Sequence, residues 1–159
     1  MKATKTLRRA AIGMAAGVMA LVGTMASAGT AQAATGYGAS LSEPGILYQA
    51  DYLSNGDTRL IMQGDGNLVL YRGYPSAPYP VWSAPGSLGC GQKTIMQGDG
   101  NVVVYGANNR VCWASNTFKD NPNELATLGV ADRGGLVVTF VQPPLSGIIT
   151  ATLRSSDPY

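Results

Sequence analysis

Two stretches of this chain carry the same five side chains at alternate positions: Gln63, Asp65, Asn67, Val69 and Tyr71, then Gln97, Asp99, Asn101, Val103 and Tyr105. The offset between them is 34 residues. Each set holds two amides, a carboxylate, a phenol and a small apolar group. Amides both donate and accept hydrogen bonds, a carboxylate accepts strongly, and a phenol does either. Such a set suits a neutral ligand bearing several hydroxyls. A lone carboxylate between glycines offers calcium too few oxygens, so no metal or other cofactor is expected. Glycoside hydrolysis needs two facing carboxylates, and each set has one. The chain contains no histidine, which removes Ser-His and Cys-His catalysis and the commonest zinc ligand. A binding protein is expected, not an enzyme.

Alternate spacing implies strands, because successive side chains of a strand point to opposite faces. Asn67, Val69 and Tyr71 then share one face while Leu68 and Leu70 take the other. In the same way Asn101, Val103 and Tyr105 stand together, with Val102 and Val104 facing the core. Asp65-Gly66 and Asp99-Gly100 each lie between two apolar runs. That is a hairpin signal, since glycine tolerates positive φ and aspartate bonds its own backbone. Gln63 reaches the polar face from the partner strand, and Asp65 sits at the turn. Turn residues recur along the chain, and no apolar period of 3.6 is sustained, so the pattern is all-β. Strands are predicted at Ile46–Tyr48, Arg59–Gln63, Leu68–Tyr71, Val81–Ala84, Thr94–Gln97, Val102–Tyr105, Val111–Ala114, Ala126–Val130, Leu136–Val141 and Ile148–Leu153.

A third step of the repeat lands on Ala131 without a gap. Leu128, Leu136 and Val138 keep the apolar positions. Ala131, Arg133, Gly135 and Thr139 replace the polar ones, and only Val137 survives. This third copy is expected to be structural and without ligand. Each copy ends in a strand able to supply a core residue: Trp82, Trp113 and, in the third, Leu153. Core packing is the favoured role for both tryptophans over a sugar-stacking platform. A sheet with one apolar face cannot stand alone. Three four-stranded sheets facing a shared axis bury those faces together, which predicts a three-sided prism.

Residues 1–33 fit a secretory leader: Lys2, Lys5, Arg8 and Arg9, then an apolar run too short for a comfortable span, then Ala31-Gln32-Ala33. A membrane anchor fits less well. Arg8-Arg9 hints at a twin-arginine route, but the ordinary route is favoured; cleavage after Ala28 is an alternative. Residues 34–159 then form one domain. Of the 11 Lys+Arg, the four in the leader leave 7 against 9 Asp+Glu, a net charge of −2. A mildly acidic domain without basic clusters is a poor partner for nucleic acid or an anionic membrane. Cys90 and Cys112 are the only cysteines. In a secreted chain such a pair reads as one disulfide; a redox pair would lack the C-x-x-C spacing.

The paired Q-x-D-x-N-x-V-x-Y motifs and the two tryptophan strands resemble the bulb-type (monocot) mannose-binding lectin family, over about Ser40 to Ser156. The resemblance implies a type II β-prism of three four-stranded subdomains with pseudo-threefold symmetry, in a secreted, extracellular bacterial member that binds mannose-containing glycans. Each intact motif would bind one α-mannose residue. Asp65 and Asn67 would take the axial 2-hydroxyl, Gln63 the 3-hydroxyl and Tyr71 the 4-hydroxyl, with Val69 against the ring carbons. Asp99, Asn101, Gln97, Tyr105 and Val103 carry over in the same roles. Cys112 directly precedes Trp113, a placement unlike the plant pattern. The family's exchange of C-terminal strands between subunits would use Ile148–Leu153 to form a homodimer; exchange and self-docking both stay open. A second reading is a lectin-fold interaction module for proteins or cell envelopes, an inhibitor or antibacterial, without significant mannose binding. Its candidate contact is the Tyr- and Pro-rich insertion Tyr71–Pro80, for which a stiff connector is the favoured role.

Overall fold

The pattern of apolar residues at every second position settles which face of each strand turns inward. The computed structural model describes residues 34–143 and 147–154. The leader at 1–33, with its cleavage point, lies outside the described residues, as does the end of the resemblance beyond 154. Among the described residues twelve strands are formed: β1 (Ser40–Ser42), β2 (Gly45–Tyr48), β3 (Tyr52–Asn55), β4 (Thr58–Met62), β5 (Leu68–Arg72), β6 (Tyr79–Ser83), β7 (Lys93–Met96), β8 (Val102–Tyr105), β9 (Val111–Ala114), β10 (Leu125–Ala131), β11 (Gly135–Gln142) and β12 (Gly147–Arg154). They make three four-stranded sheets ordered β3-β4-β5-β6, β2-β7-β8-β9 and β1-β10-β11-β12. All pairings within these sheets are antiparallel.

The prism expected from the repeat is therefore present, with two strands that were not anticipated. β1 (Ser-Leu-Ser) and β3 (Tyr-Leu-Ser-Asn) are short and carry one buried leucine each, Leu41 and Leu53, too little to register as alternation. β1 and β2 complete the third and second sheets, so the N-terminal segment stitches the later copies together. β4 and β7 stop at Met62 and Met96, which leaves Gln63 and Gln97 at the mouths of their turns. β6 begins at Tyr79, earlier than the predicted Val81.

One apolar cluster fills the axis. Leu60 and Leu70 from the first sheet, Met96 and Val104 from the second, and Leu128 and Val138 from the third have no exposed surface. Full burial of such side chains stabilises by about 1.5–3 kcal/mol each. Trp82 and Trp113 pack partly buried against this cluster and meet edge to face, centroids 5.5 Å apart. Leu153 packs partly buried against the cluster as well, but the rung equivalent to the tryptophans belongs to Ala151. Trp82 pairs with Leu70, Trp113 with Val104, and Ala151 with Val138. Leu153 occupies a bulge between rungs, because the irregularity in the third sheet falls at Leu136/Val137 instead of two rungs later, at the Val138/Thr139 position equivalent to Leu70/Tyr71 and Val104/Tyr105. β12 pairs with β11 of its own chain.

Each motif turn docks on the next sheet around the axis. A Cβ on Gly66 would meet Gly91 in the lead-in to β7, one on Gly100 would meet Phe140 of β11, and one on Gly134 would approach Arg72 and Val81 of β5 and β6. All three glycines have positive φ, 87°, 89° and 82°. The Cys90–Cys112 disulfide is formed, Cα atoms 5.9 Å apart, and pins the platform under Gly66 to β9. Asp51, 2 % exposed, accepts the N–H groups of Thr35 (3.0 Å) and Tyr48 (2.9 Å), which fixes the crossing from β2 into β3.

Candidate functional site

The first motif turn is a three-residue loop closed by Gln63 and Asn67. Gln63 N–H donates to Asn67 O (2.8 Å), and Gly66 N–H donates to Gln63 O (3.0 Å). Glycine takes the left-handed position that this loop requires. Asp65 Oδ1 accepts the N–H of Asn67 two residues on (2.9 Å), the usual self-bonding of an aspartate turn. The second motif repeats this geometry: 2.9 Å for Gln97–Asn101, 3.0 Å for Gly100–Gln97, and 3.0 Å for Asn101 N–H on Asp99.

The side chains are held as well as the backbone. Gln63 Nε2 donates to Tyr71 Oη at 2.9 Å, and Gln97 Nε2 donates to Tyr105 Oη at the same distance. With the phenol oxygen accepting, its proton is turned outward as a donor. Ser87 Oγ donates to Asn67 Oδ1 (2.7 Å) and accepts Leu68 N–H (3.2 Å). Ser115 does the same for Asn101 (2.9 Å) and Val102 (2.9 Å), and Asn116 N–H also donates to Asn101 Oδ1 (3.0 Å). A backbone N–H can only donate, so the Asn101 oxygen faces inward and its amino group outward. Each site then offers an amide donor, an aspartate acceptor, a phenol donor and a glutamine oxygen around a buried valine, Val69 or Val103, each 3 % exposed. Alternating donors and acceptors over an apolar floor match vicinal hydroxyls on a hydrocarbon ring.

Ser87 and Ser115 escaped the sequence reading because they are not equivalent positions. Ser115 follows β9 directly, whereas its counterpart after β6 is Ala84, and the hydroxyl comes three residues later. The spacing of the loop, not the residue, was the only signal.

The two sites differ in shape. Gln63, Asp65, Asn67, Val69 and Tyr71 all line one open depression of about 530 Å³, walled by Pro80 to Ser83 and Leu88. At the second motif the concave space, about 410 Å³, is lined by Asp99 with Gly98, Phe118, Lys119 and Pro122. Gln97, Asn101, Val103 and Tyr105 do not line it, and Asn101 is only 7 % exposed. Tyr71 is also braced as Tyr105 is not. Tyr74 of the insertion meets it edge-on at 6.1 Å, and the Arg59 guanidinium lies between the rings of Tyr52 (4.2 Å) and Tyr74 (4.3 Å). The corresponding cation over Tyr105 is Lys93, at 5.9 Å.

The third copy lacks the site in backbone as well as side chain. Arg133 replaces the aspartate and itself adopts φ 54°, ψ 29°, whereas neither Asp65 nor Asp99 has positive φ. Gly134 N–H instead donates to the buried Thr58 Oγ1 (2.9 Å). Among the described residues no group of three or more Cys, Asp or Glu stands together as a metal site, and no helix is long and apolar enough to cross a membrane.

No protein-family model and no curated protein matches the chain. Solved structures do. The Polygonatum cyrtonema lectin, crystallised with monomannoside, is 33% identical over 63% of this chain and 87% of its own, with a TM-score of 0.54. The monomeric monocot mannose-binding lectins of Gastrodia elata are 28% identical over 74% and 99%, with a TM-score of 0.58. A Marasmius oreades lectin is 27% identical over 67% and 86%, also at 0.58. The fold is the β-prism of the bulb lectins. These neighbours are lectins, not enzymes, and they support a carbohydrate-binding protein.

Proposed function

We propose that the protein is a secreted, extracellular mannose-binding lectin of the bulb-type family, with no enzymatic activity. Each of the first two motifs takes one α-mannose residue. Asp65 and Asn67 bind the axial 2-hydroxyl, Gln63 the 3-hydroxyl and Tyr71 the 4-hydroxyl, with Val69 beneath the ring; Asp99, Asn101, Gln97, Tyr105 and Val103 act likewise. The observation that carries this reading is the repetition, bond for bond, of the Gln–Tyr, Asp–Asn and Ser–Asn contacts at two turns 34 residues apart, and its loss at the third. The Asp–Asn bond also serves the turn, but core packing requires neither the Gln–Tyr nor the Ser–Asn contact, and a hydroxylated ligand is served by both. Leaving a site group unpaired costs about 1–3 kcal/mol, enough to tell an axial 2-hydroxyl from an equatorial one.

Shallow sites of this kind bind weakly, on the order of millimolar, about −4 kcal/mol. Calorimetric titration with methyl α-mannoside should show two such sites in the wild type, one in Asn67→Ala, one in Asn101→Ala and none in the double variant. Methyl α-glucoside should bind none of them. A flat wild-type titration at tens of millimolar sugar rejects the reading and leaves the interaction module. Against that module, Tyr74 of the insertion is turned inward on Tyr71 and Arg59, as expected of a connector. A homodimer through exchange of β12 is part of the proposal; sedimentation of the wild type against a chain truncated before Gly147 tests it.

A further inference from the structure

The two sites share a feature that the linear repeat conceals. The chain leaving β6 turns back so that Gly89 N–H donates to Asp65 O (2.8 Å), and the chain leaving β9 does the same with Lys119 N–H on Asp99 O (2.9 Å). The residues just before these donors are Leu88 and Phe118. Both are large, apolar and mostly in water, 64 % and 56 % exposed. Their spacing is not that of the repeat: a step of 34 from Leu88 lands on Pro122. Loops of different length and sequence thus place an exposed apolar side chain at the same point beside the motif aspartate. Leu88 lines the depression that holds the whole first motif. Phe118 lines the one that holds Asp99.

The loop carrying Phe118 is firmly held. Thr117 Oγ1 donates to Gly100 O (2.8 Å), and the Lys119 ammonium is paired with Glu43, both side chains over nine-tenths buried. An exposed ring on a fixed loop at the lip of a polar site is poorly explained by folding, because it gains nothing from the core. It is well placed to meet a ligand.

We infer that Leu88 and Phe118 form a second subsite, which receives the next pyranose of a mannoside, and that Phe118 makes the second site selective for oligosaccharides over the monosaccharide. This rests on the mannose reading of the motifs. A pyranose has a face of C–H groups that packs on a phenyl ring while its rim hydroxyls reach Asp99 across the cavity. The space of about 410 Å³ falls within the usual range for small-molecule sites. Leu88 offers no flat face, so the first site gains less from a second sugar.

The test compares methyl α-mannoside with methyl α-mannobiosides of each linkage, by calorimetry, in an Asn67→Ala chain whose first site is disabled. The best mannobioside should bind about three- to tenfold tighter than the monosaccharide. That ratio should fall towards one in Asn67→Ala/Phe118→Ala and return in Asn67→Ala/Phe118→Tyr. A gain-of-function arm guards against misfolding: in an Asn101→Ala chain, Leu88→Phe should raise the ratio at the first site. If Phe118→Ala leaves the ratio as in its parent while both sugars still bind, the subsite is wrong and the mannose reading stands. If the wild type binds no mannoside at all, the mannose reading fails and the subsite with it.

Discussion

Gly64 and Gly66 lie two residues apart in the same turn, and the fold predicts opposite fates for them on substitution by alanine. Gly66 has φ 87°, and a Cβ there would lie 2.8 Å from both the N and the O of Gly91 and 3.1 Å from Cys90 N. The left-handed conformation costs an alanine roughly 1–2 kcal/mol. The contacts are to backbone pinned by the disulfide at Cys90, so relief means lifting the turn off the second sheet, about 1–3 kcal/mol by analogy with overpacking. Lower unfolded-state entropy returns about 0.4–1 kcal/mol. The net is a loss of about 2–4 kcal/mol, or roughly 10 °C in Tm for a domain of this size. A Cβ on Gly64 meets nothing within 4 Å, and φ there is not positive, so Gly64→Ala should be neutral or stabilise by up to about 1 kcal/mol. Urea unfolding followed by circular dichroism measures both, with unchanged m values as the check on two-state behaviour. Gly100→Ala should cost less than Gly66→Ala, since its nearest obstacle is the Phe140 side chain, and Gly134→Ala least, where the nearest atom ends a flexible arginine. Equal midpoints for Gly64→Ala and Gly66→Ala would refute the docking of turns on sheets.

Tyr74→Ala should weaken mannoside binding at the first site about three- to tenfold, because Tyr71 loses its brace, with Tyr74→Phe near wild type; titration in an Asn101→Ala background reads this. Cys90→Ser/Cys112→Ser should cost about 3 kcal/mol by the chain-entropy model, seen as a lower urea midpoint that reductant reproduces in the wild type. Asp51→Ala should cost about 2–4 kcal/mol, since two backbone N–H groups lose a charged acceptor, and unfolding midpoints check it. Overnight dialysis against EDTA should leave sugar binding unchanged, as calorimetry before and after would show.

Hairpins at Asp65-Gly66 and Asp99-Gly100 were legible because the signal is local: a turn residue, a positive-φ glycine and alternation on both sides. So were the buried sets Leu68/Leu70 and Val102/Val104. What was not legible depends on contacts distant in sequence. β1 and β3 are three and four residues long, and β1 acquires its role only by pairing with β10, more than eighty residues away. Leu153 packs on the core but off the tryptophan rung, because the third sheet's bulge lies two rungs from its place in the other sheets, and nothing in Ala151-Thr-Leu153 announces it. At the sites, the five motif positions were visible, but Ser87, Ser115, Leu88 and Phe118 were not. They arrive on return loops of unequal length, where side-chain identity is free and only the tether to the aspartate carbonyl is kept.

The same division explains how one copy could lose the polar motif groups without loss of the fold. What closes the prism at each turn is a glycine and the backbone beside it, set against the next sheet; Gly134 does this through its N–H on Thr58 as Gly66 does against Gly91. The side chains of the motif positions are not the atoms that a Cβ on these glycines would meet. Substitution of Asn by Gly135 or Asp by Arg133 therefore removes the motif's polar groups and leaves the ring of turns intact. The surviving sites sit on one rigid unit, so a glycan that spans both would gain roughly 10²–10⁴-fold over either alone. That gain requires both to bind, and their different walls, an open depression with a braced Tyr71 against a nearly buried Asn101 beside an exposed Phe118, mean that two ends of such a glycan would not be interchangeable.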